Sequence, residues 1–132
     1  MKRMKSTLPV DKYLQRFPLN IRDIVNLLRS RMKEAEAGMI ERVYPGWNVI
    51  GYRASVPRSS VYVGFIAPYE NRVVIGFEYG MLLSDPHRVL EGSGKQVRWI
   101  TFRSKKVTKR SILMPLILEA VSIAKERRSH RR

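Results

Sequence analysis

The sequence predicts an α+β domain, with N-terminal helices and a C-terminal helix packed on one antiparallel sheet. Three observations predict it. Apolar residues recur at steps of three and four towards both ends of the chain. The middle holds short runs rich in Val, Ile, Tyr and Phe, as half-buried strands do. Those runs are joined by short clusters containing Pro and Asn, which suit antiparallel neighbours and are too short for a parallel crossover. A chain of 132 residues, 44% of them hydrophobic, suffices for one core. Residues 9–128 are read as that single domain, with a basic extension over 1–8 and a disordered basic tail over 129–132.

The elements follow in order. Val10, Tyr13, Leu14 and Phe17 mark a short helix after Pro9, ended by Pro18. Asn20 is the expected N-cap of a second helix, with Leu19 and Ile24 as a hydrophobic staple. Its apolar stripe is Ile21, Ile24, Val25, Leu28, Met32, Ala35 and Met39, and Pro45-Gly46 closes the helical section. Strands are expected over residues 47–53, 61–67 and 72–78. A looser stretch with a helical turn near 86–90 comes next, and Gly92-Ser93-Gly94 leads into a fourth strand over 96–103. The last helix, over 111–128, carries Ile112, Leu113, Leu116, Ile117, Ala120, Val121 and Ala124, with Pro115 either in its first turn or shifting its start.

Charge narrows the function. There are 26 Lys and Arg against 11 Asp and Glu, a net charge of +15, well beyond the magnitude of about 2 to 8 that solubility asks of a small domain. Such a field concentrates polyanions, so nucleic acid or another polyanion is the expected partner class. The absence of cysteine removes disulfides, thiolate metal sites and cysteine nucleophiles. No run approaches the roughly 18 apolar residues of a membrane span, so a cytoplasmic protein with no membrane partner is expected.

Several motifs resemble those of the YdhG-like domain family of unknown function (number 1801). They are Pro9-Val10-Asp11-Lys12-Tyr13-Leu14, then Tyr44-Pro45-Gly46-Trp47, then Leu83-Ser84-Asp85-Pro86 with Leu90-Glu91-Gly92-Ser93-Gly94-Lys95. The resemblance covers about residues 9–125 and implies helices packed on an antiparallel sheet. Some relatives are described as frataxin-like iron chaperones, which the resemblance offers as an alternative function. A hard cation would need carboxylates, and Glu34, Glu36 and Glu41 are the only close acidic group, outnumbered by neighbouring bases. No metal ligands and no cofactor are assigned.

Catalysis finds little support. His87 and His130 are the only imidazoles, one in an expected turn and one in the tail, with no metal-ligand spacing. Gly92-Ser93-Gly94-Lys95 lacks the glycine spacing of a phosphate loop and leads into a strand, so it reads as a tight turn. Two candidate sets remain. Lys95, Arg98, Arg103, Lys105, Lys106, Lys109 and Arg110 occur without an acidic residue among them and form an anion-binding edge. Trp47, Tyr52, Tyr62 and Trp99 are aromatics that stack bases, line a small-molecule pocket or fill the core. Arg98 and Trp99 point to opposite faces of their strand, which assigns Trp99 to the core and the bases to solvent. A non-enzymatic module that binds an anionic partner is the expectation, with a small-molecule pocket protein as the other alternative.

Overall fold

The computed structural model describes residues 8–104, 106 and 109–130, so the expectations for residues 1–7, Lys105 and residues 131–132 fall outside it. Two helices, α1 (Val10–Leu14) and α2 (Leu19–Ala35), precede five strands. These are β1 (Ile40–Tyr44), β2 (Val49–Val56), β3 (Ser59–Pro68), β4 (Val73–Phe77) and β5 (Arg98–Phe102), and α3 (Arg110–His130) closes the chain. The strands form one antiparallel sheet in sequence order, each paired with the next. The predicted α+β architecture is what the structure has.

α2 forms where the periodicity predicts. Ile21, Ile24, Val25, Leu28 and Met32 lie on one stripe and are all buried. Its start differs from expectation. Pro18 takes the cap position, its carbonyl accepting the N–H groups of Ile21 and Arg22 at 3.0 Å each, and Asn20 lies inside the helix. Leu19 is 67% exposed, so the expected staple with Ile24 does not form. The helical section also ends earlier. The Glu36 backbone is extended, Met39 turns into the core, and residues 40–44 become β1 instead of helix. In this strand Glu41 and Val43 are the residues facing the helices, a period of two that five residues display only weakly.

Two of the hairpin turns each place one residue in the left-handed region. Asn48 and Arg58 have φ of 54° and 64°, the left-handed region that Asn tolerates readily. The only three-residue helical turn between β4 and β5 spans Gly80–Leu82, not 86–90. At 85–90 the chain instead wraps around Asp85, whose carboxylate accepts the N–H groups of Val89 at 2.9 Å and Leu90 at 3.0 Å.

α3 buries Leu113, Leu116, Ile117, Ala120, Val121 and Ala124, while Ile112 is half-buried. It begins at Arg110, with the Lys109 carbonyl accepting the first helical N–H groups. Pro115 therefore lies beyond the first turn, on the exposed side, where the helix tolerates the loss of one hydrogen bond. The helix continues to His130, two residues into the segment read as a tail.

Register assigns the two faces of the sheet. Ile50 pairs with Ile66, Ile66 with Ile75 and Ile75 with Ile100, and all four are buried in the core with Val43, Tyr52, Phe77 and Phe102. α2 and α3 pack on this face, both against β3. The alternate residues make the other face, which none of the described helices covers. One row across it reads Arg42, Gly51, Phe65, Gly76 and Trp99.

Candidate functional site

The uncovered face is aromatic. Tyr44, Tyr62, Phe65 and Trp99 all project from it by register, and each is half-buried. Two glycines make room for the rings. A side chain at position 51 would meet the Tyr44 ring at 2.5 Å, and one at position 76 would run into the Phe65 ring. The rings occupy the space those side chains would take, which keeps the face low. Trp47, in the β1–β2 turn, stacks on Tyr44 with ring centroids 6.0 Å apart and an interplanar angle of 27°. Tyr44, Trp47, Val49, Arg53, Tyr62, Phe65 and Glu78 line an open groove of about 560 Å³. Arg53 is fixed at its floor, donating from Nε to Ser60 Oγ at 2.7 Å and from Nη2 to the Ser60 carbonyl at 3.0 Å. Burial, followed by the nearby Glu78 carboxylate, pushes the Tyr62 hydroxyl up to about 12, so Tyr62 is a neutral ring and donor at physiological pH.

The four aromatic candidates therefore separate. Trp47 and Tyr62 come together in the groove. Tyr52 does not, because it is on the covered face and wholly buried. Trp99 departs from its expected place in the opposite sense. It stands on the uncovered face in the Phe65 row, with Gly92 set against its ring, while Arg98 falls in the Phe77 row. Gly92 has a φ of 117°, so a larger residue there would be strained as well as blocked by the Trp99 ring, 2.7 Å from its Cβ. Tyr44 and Phe65 were missed in the sequence. Their signal was a glycine under the ring, paired directly with Phe65 and set diagonally to Tyr44, and it becomes visible only once the register is known.

The basic candidates separate too. Arg98 Nη1 donates to the Gly94 and Val97 carbonyls at 2.8 Å each, so it braces its own turn. Arg110 is ion-paired with Glu34. Lys95, Arg103, Lys106 and Lys109 are exposed and have no carboxylate partner among the described residues; Lys95 precedes the edge strand β5, Arg103 follows it directly, and Lys106 and Lys109 lie in its connection to α3. Lys105 lies outside the described residues.

The acidic trio is used structurally. Glu34 pairs with Arg31 and Arg110, and Glu36 pairs with Lys125 at 2.9 Å. Glu41 accepts from Arg29 Nε and Nη2, both at 2.9 Å, and from the Tyr52 hydroxyl at 2.6 Å, with Lys33 Nζ at 3.6 Å. Burial pushes the Glu41 carboxyl up, but the hydrogen bonds from Arg29 and Tyr52 and the neighbouring cations outweigh it, leaving it below the ordinary carboxylate range. The Arg29 guanidinium is held charged by Glu41, and Tyr52 is held neutral by burial and by the same carboxylate. This cluster ties α2 to β1 and β2. Among the described residues, no group of three or more His, Asp or Glu is arranged to hold a metal ion.

The histidine region forms no relay. The Ser84 hydroxyl donates to Glu119 at 2.9 Å, Asp85 is occupied by backbone N–H groups, and His87 is exposed. Among the described residues, no helix is long and apolar enough to cross a membrane. The chain matches no family model, no curated protein and no solved structure.

Proposed function

We propose that this protein is a non-enzymatic, YdhG-like binding module of the cytoplasm that takes an anionic partner. The observation supporting this reading is the set of four exposed cations around β5 and its connection to α3, Lys95, Arg103, Lys106 and Lys109, which have no carboxylate partners among the described residues. In a chain where most acidic side chains near bases are already engaged, these four are free to neutralise phosphates or carboxylates of a ligand. The net charge of +15 adds a long-range field that speeds encounter with a polyanion.

Fluorescence anisotropy with labelled oligonucleotides across a salt series tests it. If all four cations contact phosphates, the slope of log affinity against log salt on duplex DNA is about −3 to −4. Replacing all four by Gln flattens that slope. No binding at low salt, or a slope untouched by the four substitutions, would sink the reading.

A further inference from the structure

We propose that the anionic partner is a single-stranded nucleic acid, lying across the uncovered sheet face with its bases on the aromatic groove and its backbone running to the β5 edge. This rests on the anionic-partner reading above and specifies which surface and which polyanion are involved. The carrying observation is Trp47. At 75% exposure it is the most exposed large apolar side chain among the described residues, and it is braced by Tyr44 instead of being folded into the core. A tryptophan held open at the mouth of a groove gains nothing from folding, whereas it gains the stacking of any flat ligand that enters.

Three further features fit that class of ligand. Phe65 and Tyr62 on β3 lie two strand spacings from Tyr44 on β1, about 10 Å, so more than one base can be accommodated. Arg42 is exposed in the Phe65 row, which supplies a cation on the same face as the rings. The row from Arg42 to Trp99 crosses from the groove to β5, where Glu91 is taken up by Thr101, and Lys95 and Arg103, without carboxylate partners among the described residues, flank the strand in sequence, so charge and rings lie along one path. A duplex hides its base faces, so this surface discriminates in favour of unpaired bases. An acidic peptide would use the charge but not the rings.

The test compares labelled 12-nucleotide RNA and DNA single strands, the matching duplexes and a poly-glutamate peptide, using the intact protein and Trp47→Ala, Phe65→Ala and Trp47→Phe. The expected result is tighter binding of one or both single strands than of either duplex, the RNA and DNA arms showing which sugar is preferred. Each alanine substitution should weaken single-strand binding by about 10-fold at every salt concentration without changing the salt slope, and Trp47→Phe should restore most of the loss. Thermal melting reports that the variants are folded. Equal affinity for single strand, duplex and peptide, or full affinity in both alanine variants, overturns the single-strand proposal while leaving the anionic reading intact. Failure of every polyanion to bind overturns both.

Discussion

The two faces of this sheet are built from alternate residues of the same strands, yet they have opposite chemistry. Ile50, Ile66, Ile75 and Ile100 line up beneath α2 and α3 on one side, and on the other their neighbours are Gly51, Phe65, Gly76 and Trp99, with none of the described helices above them. Aliphatic β-branched residues interlock with helices and gain most when sealed from water. Rings seated over glycines expose a smoother surface that is still partly apolar, which is costly unless something is meant to touch it. The comparison separates the residues that hold the fold from those available for contact.

Its largest consequence concerns two phenylalanines. Phe77 is fully buried on the covered face, and Phe65 is half-buried on the other. Phe77→Ala should cost about 3–5 kcal/mol, from lost transfer energy and an unfilled cavity. Phe65→Ala should cost about 1 kcal/mol or less, the range of a cross-strand contact. Urea unfolding of the two variants measures both. Equal costs would mean that the second face is packed as tightly as the first, and the distinction between them would fail.

The next effect is electrostatic and belongs to the rim of the covered face. Glu41→Gln leaves the Arg29 guanidinium beside a neutral amide, at a site where the Glu41 side chain is 11% exposed and Arg29 17% exposed. A cost of about 2–3 kcal/mol at pH 7 is expected, at the lower end for a buried pair because some solvent reaches Arg29. The Glu41 carboxyl is held below its unfolded value of about 4.3. Its contribution is therefore fully present above that pH and is lost as the pH falls through the lower folded value. The stability gap between the natural protein and Glu41→Gln should then narrow from pH 5 to pH 3. A gap that stays constant over that range would show that the pair contributes through shape alone.

How much of this was legible in the sequence follows from the same division. The α2 and α3 stripes were visible because a helical period repeats over many turns, and four of the five strands because Val, Ile, Tyr and Phe cluster in them. β1 was not, since Ile40–Tyr44 offers only five residues and follows a helix whose spacing carries on through Met39. The basic edge was legible as composition, but which of its cations remain free was not. Arg98 is occupied by carbonyls of its own turn, and Arg110 by Glu34, 76 residues away. The aromatic site was half legible for the same reason. Alternation says that Arg98 and Trp99 oppose each other but not which one faces the helices, and that sign comes from pairing with Phe77 and Gly76.

The smallest expected effect lies within the covered layer and compares its two fully buried tyrosines, Tyr52 and Tyr13. The Tyr52 hydroxyl donates to Glu41, whereas the Tyr13 hydroxyl is buried with no hydrogen-bond partner among the described residues. Burial pushes the Tyr13 hydroxyl up, with Arg16 opposing, so it stays protonated and polar in an apolar setting. Its ring is held regardless of the hydroxyl, by edge contact with Phe17 at 5.4 Å and by the Arg16 guanidinium at 5.2 Å. Removing a bonded hydroxyl leaves its partner short of a donor, while removing an unbonded one relieves a desolvation cost. Tyr52→Phe should therefore destabilise by about 1–2 kcal/mol, and Tyr13→Phe should be neutral or stabilise by up to about 1 kcal/mol. Urea midpoints of the two variants would show them on opposite sides of the natural protein. A clear loss in Tyr13→Phe would mean that its hydroxyl has a partner after all, and the covered layer would then hold two satisfied tyrosines in place of one.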